Sequence, residues 1–148
     1  MRYFEDVEVG DAAEFGEYQV TAEEVVAFAE RYDPQPFHTD EAAAQGSVFG
    51  GLVASGWHTA AMCMRMRVDA EGKEVPLLGS RGVDELRWRR PVRPGDTLRV
   101  RTEVVDKRPS ESRPDRGYVN TRVEGVNGDD EVAISWIGLG IVERAPDG

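Results

Sequence analysis

The chain has 148 residues, a formal charge of −10 and 40% apolar residues, the profile of a globular protein long enough to bury a core. The negative balance argues against general nucleic-acid binding, and no apolar run approaches the roughly 18 to 20 residues of a membrane helix. The first residues, MRYFEDVEVGD, contain no signal-peptide apolar region, so a cytoplasmic location and one domain over 1–148 are expected.

Residues 1–13 form an acidic lead-in whose Tyr3, Phe4, Val7 and Val9 suit docking on a core. Glu14 to Val20 alternates weakly and reads as a strand. Thr21 and Glu24 make a capping box, and a helix over Ala22 to Arg31 puts Val25, Val26, Phe28 and Ala29 largely on one side. It must stop near Tyr32, because Pro34 disfavours helical geometry at Asp33. Asp33 to Thr39 reads as a Pro-punctuated loop, and Asp40 to Gln45 as one helical turn capped by Thr39 or Asp40. Gly46, Gly50 and Gly51 mark a turned connection. From Ser55 to about Val68 the sequence is helical and apolar on nearly every side, the pattern of a buried helix. Cys63, among Ala61, Met62 and Met64, reads as a small buried hydrophobe. With one cysteine and two histidines, no metal-site spacing exists.

After Gly72 strand signals follow one another: Leu77 to Val92, Leu98 to Val105, Tyr118 to Val126 and Glu131 to Val142. Leu98, Val100, Thr102 and Val104 share one face of the second, and Val119, Thr121 and Val123 one face of the third. The last is apolar on both faces, which predicts a central strand or one at a subunit interface. Lys107 to Gly117 reads as a polar, mobile loop. Helix, loop, buried helix and then an antiparallel sheet make an α+β fold, a long central helix held against a curved sheet.

The stretch that carries chemistry runs from Tyr32 to Met66. Asp33 and His38 stand five residues apart, ahead of a helix whose first turn holds Ser55, Gly56 and Trp57. One ionisable group can move a proton near neutral pH while the helix's first N–H groups hold an oxygen that gains charge. Read alone, Asp33 also fits a cap of the turn before Pro34, and a lone His38 also fits a structural role; joined to the Ser55-Gly56 turn they read as a catalytic set. Ser55 reads as a helix N-cap, since Leu52-Val53-Ala54-Ser55-Gly56 lacks the first glycine of a serine-nucleophile elbow. Trp57 reads as core or pocket wall, and His58 as a packing or hydrogen-bonding residue, not a catalytic one. Arg87, Arg89, Arg90 and Arg93 form the densest positive cluster, either a solvated strand face or a grip on phosphate.

Three segments together resemble the MaoC-like dehydratase family, hot-dog-fold enzymes that include (R)-specific enoyl-CoA hydratases. They are Asp33-Pro34-Gln35-Pro36-Phe37-His38, Val53-Ala54-Ser55-Gly56-Trp57-His58, and Arg90-Pro91-Val92-Arg93-Pro94-Gly95-Asp96, in the family's order. The resemblance implies a helix wrapped by a curved antiparallel sheet, paired as a homodimer. It implies addition or removal of water at a 2-enoyl thioester of coenzyme A, with no cofactor beyond the coenzyme A of the substrate. By analogy Asp33 and His38 are the hydratase pair, the Gly56 N–H holds the enolate oxygen, and Gln35, Phe37, Ser55 and Trp57 border the substrate. Gln35 departs from the Asn usual in the motif; its amide can still donate a hydrogen bond, with a different reach. Thioester hydrolysis and a non-catalytic acyl-binding role are the rivals. Hot-dog thioesterases typically use a carboxylate on the long helix, and Ser55 to Val68 contains none.

Overall fold

A computed structural model describes residues 1–146. Five strands form one antiparallel sheet: β1 (Ala12–Gln19), β2 (Leu77–Trp88), β3 (Thr97–Pro109), β4 (Arg116–Val126) and β5 (Val132–Glu143). Their order is β1-β3-β4-β5-β2, which leaves β1 and β2 as edges. Four helices lie between β1 and β2: α1 (Ala22–Tyr32), α2 (Pro36–Thr39), α3 (Glu41–Gln45) and α4 (Gly56–Glu71). The sheet packs around α4, and Met62, Cys63 and Met66 meet Leu98, Val100, Val123 and Ile134 in the main core.

The alternation read in the third and fourth strands is the one buried: Leu98, Val100 and Thr102 on β3, and Val119, Thr121 and Val123 on β4, point inward. The fully apolar last strand is interior to the sheet, as its pattern requires. Cys63 is wholly enclosed, and burial pushes its thiol up to about 12. Its sulfur lies over Gly125, where a methyl group would come within 2.6 Å.

Several expectations need correction. Asp33 to Thr39 is not all loop: Pro36 supplies the fixed backbone angle of a first helical position, and α2 forms as one turn carrying His38. The polar loop is shorter than Lys107 to Gly117, because β3 continues to Pro109 and β4 begins at Arg116. The intervening turn is tied by bonds from the Ser110 N–H to the Arg116 carbonyl and from the Arg113 N–H to Ser110 Oγ. β2 ends at Trp88, before Pro91. The strand is irregular, with three register shifts against β5 and left-handed backbone at Gly82 and Glu85. α4 is buried on one side only; on the other Trp57, Met64 and Val68 remain exposed among the described residues, so its apolar character is not buried all round.

The lead-in docks as expected, though through fewer residues: Phe4 and Val7 are buried and Val9 is exposed. Phe4 fills the space left by the missing side chain of Gly117, and Lys107 donates to the Phe4 carbonyl at 3.2 Å and the Val7 carbonyl at 2.6 Å. Phe4→Ala is expected to cost about 3 kcal/mol of stability in a urea titration.

Candidate active site

Asp33 terminates α1. Its N–H still bonds the Ala29 carbonyl at 2.8 Å, but its backbone (φ −154°, ψ 66°) leaves the helix ahead of Pro34. Pro36 then starts α2, which turns the chain back and sets His38 against Asp33. His38 Nε2 lies 3.3 Å from Asp33 Oδ2, and the two side chains are 7% and 19% exposed. The pair is thus almost enclosed, with the carboxylate at the more open end.

The other ring nitrogen fixes the roles. His38 Nδ1 lies 2.6 Å from the Val53 carbonyl, which can only accept, so Nδ1 carries a proton. A neutral His38 therefore presents its Nε2 lone pair toward Asp33. Two acceptors then face each other, an arrangement suited to a water molecule that donates one hydrogen to each. Val53 also donates its N–H to the Phe37 carbonyl at 3.2 Å, so α2 and the segment leading to α4 are joined twice.

Gln35 Nε2 donates to Asp33 Oδ1 at 2.6 Å, so the longer side chain still reaches the carboxylate. Burial pushes the Asp33 carboxyl up; the Gln35 amide, the Ser55 hydroxyl and the His38 ring outweigh it and hold the group below its ordinary value. Asp33 is therefore ionised at neutral pH. A lowered folded pKa contributes stability above the unfolded value of about 4 and loses it as pH falls through the folded one. The pH-dependent advantage of wild type over Asp33→Asn is expected to shrink below about pH 4 in denaturant titrations.

Ser55 is the N-cap of α4 but does not cap it: its hydroxyl is fully enclosed and forms no hydrogen bond of ordinary geometry. The reason is direction, since the hydroxyl is turned to Asp33. The first intrahelical bond runs from the Thr59 N–H to the Ser55 carbonyl. The N–H groups of Gly56, Trp57 and His58 thus have no acceptor within the helix.

Gly56 is close-packed. The indole of Trp88 lies over its Cα, where a methyl group would overlap the ring. The missing side chain makes room for Trp88, a contact that sequence spacing cannot reveal. Trp57 is 58% exposed and meets the Trp88 ring edge-on at 5.1 Å, so it is not core. Phe37 packs edge-on to His38 at 4.4 Å and against Phe49 at 5.2 Å. The arginines separate: Arg89 bonds Ser135 Oγ, Arg90 pairs with Glu131, Arg93 donates to the Phe49 carbonyl, and Arg87 donates to the Leu86 carbonyl. An apolar cavity of about 210 Å³ lies at the other end of α4, against Val68, Val75 and Val104, and includes neither Asp33 nor His38. α4 runs past Val68, so it does carry Asp69 and Glu71, each bound to an arginine one turn earlier, Arg65 and Arg67.

One group was missed by sequence reasoning. Glu24, read only as a capping residue, accepts from Tyr18 Oη at 2.6 Å and lies 4.0 Å from His58 Nε2. That hydrogen bond raises the Tyr18 pKa to about 12, so the phenol remains a donor.

Comparison with known proteins agrees with this architecture. The family model described as a MaoC like domain matches residues 6–127. The crystal structure of a MaoC-like dehydratase from Rhodospirillum rubrum superposes with a TM-score of 0.90 at 44% identity, covering 98% of this chain and 99% of that one. The R-hydratase PhaJ1 of Pseudomonas aeruginosa, in its unliganded form, gives 0.71 at 26% identity over 98% and 87%. A 3-hydroxybutyryl-CoA dehydratase of Methylorubrum extorquens is 34% identical over 113 residues, 75% of this chain and 69% of that protein. The chain has the hot-dog fold and belongs to the MaoC-like dehydratase family.

Proposed function

We propose that the protein is a hydratase acting on 2-enoyl thioesters of coenzyme A, or a dehydratase of the 3-hydroxyacyl thioesters they become. The observation that carries this reading is the 3.3 Å approach of His38 Nε2 to Asp33, with Nδ1 committed to Val53. A water held between the two acceptors attacks the β-carbon as Nε2 takes its proton. The new imidazolium then lies against an ionised Asp33, which stabilises it. Charge moves to the thioester oxygen, which the Gly56 N–H receives, with Gln35 fixing the carboxylate and Phe37, Ser55 and Trp57 bordering the substrate. The imidazolium returns its Nε2 proton to the α-carbon as the enolate collapses, which restores neutral His38 and completes addition of H and OH across the double bond. No cofactor is needed beyond the coenzyme A of the substrate. The likeness to a 3-hydroxybutyryl-CoA dehydratase supports the substrate class. Mixing the protein with crotonyl-CoA and longer enoyl-CoAs is expected to bleach the enoyl absorbance; folded protein that turns over none of them would overturn the proposal.

The same reading includes a homodimer. β2 is an edge strand, and Val83 and Trp88 on it, with Trp57, Met64 and Val68 on α4, are exposed. A soluble chain in the cytoplasm covers such an apolar face, and a twofold pairing of two β2 edges does so with one surface used twice. Light scattering is expected to give twice the 16.4 kDa chain mass, and Met64→Glu with Val83→Asp to give a monomer.

A further inference from the structure

His58 is the buried ionisable group that the hydration mechanism leaves unused. It stands at the third position of α4, and its side chain is 7% exposed. Phe28 of α1 stacks flat on its ring, with centroids 4.7 Å apart and planes 7° apart. Its Nε2 faces the Glu24 carboxylate at 4.0 Å, and Tyr18 holds that carboxylate from the other side. The carboxylate is too far to accept a hydrogen bond, but its negative charge favours the ring proton on Nε2, which leaves Nδ1 as a lone pair. Among the described residues nothing meets that lone pair: His58 Nδ1 is buried without a hydrogen-bond partner.

A link to the catalytic pair lies one turn earlier. Ser55 Oγ, enclosed and turned to Asp33, precedes His58 by three residues. N-cap and third-position side chains share a face of a helix's first turn, and helical side chains lean toward the N-terminus. His58 therefore shares a face of the first turn of α4 with the hydroxyl that is turned to Asp33. A buried polar atom without a partner costs on the order of 1 to 3 kcal/mol, so the unpaired Nδ1 at this helix start calls for a group that satisfies it.

We propose that His58 is a specificity-determining residue of this site: its Nδ1 accepts a hydrogen bond from a donor, such as a hydroxyl, on the acyl chain beyond the reacting double bond. The inference rests on the hydratase reading and narrows its substrates to short enoyl thioesters with a polar tail. A hydrocarbon chain would leave Nδ1 buried and unpaired, which penalises it. Glu24 and Phe28 serve as positioning residues, one fixing the tautomer and the other the ring plane.

The test compares two pairs of compounds. Wild type is expected to turn over 4-hydroxycrotonyl-CoA with a kcat/KM about tenfold above that for crotonyl-CoA. His58→Leu is expected to reverse the order, and His58→Gln, which keeps an acceptor, to retain it. Affinities for the unreactive 4-hydroxybutyryl-CoA and butyryl-CoA read the same preference without chemistry. If neither enoyl thioester reacts but the hydroxylated ligand still binds about tenfold tighter and His58→Leu removes that gap, the hydratase reading fails and the role of His58 stands. If wild type treats each pair alike, the niche holds only water and the proposal falls. The wild-type comparison decides this even where His58→Leu fails to fold.

Discussion

His38→Gln is expected to hydrate crotonyl-CoA about 10²- to 10⁴-fold more slowly than wild type, with KM nearly unchanged. Glutamine can still bond the Val53 carbonyl and hold the turn of α2, so the fold survives. It offers no basic nitrogen at the place of Nε2, 3.3 Å from Asp33. The lost interaction exists only while water is being deprotonated, so kcat falls and ground-state binding does not. Asp33→Asn should fall by a similar order, because the imidazolium then lacks its counter-charge. The double variant should be little worse than either single one, since the proposed mechanism has the two groups act on one water. A His38→Gln enzyme retaining more than a tenth of wild-type kcat would remove His38 from the base role.

Gly56→Ala is expected to combine a loss of about 1 to 3 kcal/mol in stability with at least a tenfold loss of activity. The added methyl group overlaps the middle of the Trp88 indole, not a flexible side-chain end. Either the indole swings out, exposing more of a ring already half exposed, or the start of α4 moves. Both outcomes disturb the amide at that helix start. Gly56→Ala joined with Trp88→Ala should be more stable than the sum of the single losses predicts, a coupling that a double-mutant cycle in urea measures. Strict additivity would mean that Trp88 does not confine Gly56.

Strand patterns were legible wherever one face alone is buried. Leu98-x-Val100-x-Thr102 and Val119-x-Thr121-x-Val123 state their inward face by alternation, and the structure buries those residues. β2 was legible in position but not in shape, because left-handed residues at Gly82 and Glu85 break the two-residue period. α2 was hidden because a single turn has no periodicity, and only Pro36 marks its start. The Asp33, His38 and Gly56 set was visible as residue types at a spacing. Its restraints were not: the Val53 carbonyl on Nδ1 and the Trp88 indole on Gly56 come from 15 and 32 positions away along the chain. Ser55 shows the limit of local reading, since it holds the N-cap position while its hydroxyl serves a carboxylate instead of the helix. His58 reads from sequence as a packing or hydrogen-bonding residue, and it needed Glu24 and Phe28 from α1 to show that one nitrogen is left over.

The crooked course of β2 has a consequence at high concentration. A straight apolar ribbon on the rim of a sheet is a template on which further chains stack into fibrils. β2 slips register three times in twelve residues, so in a chain without its twofold mate the outward amide and carbonyl groups do not form an even ladder. A foreign straight segment meets them out of step. Straightening the ribbon, for instance by Gly82→Val, would trade that protection for smoother pairing and invite fibrous aggregation.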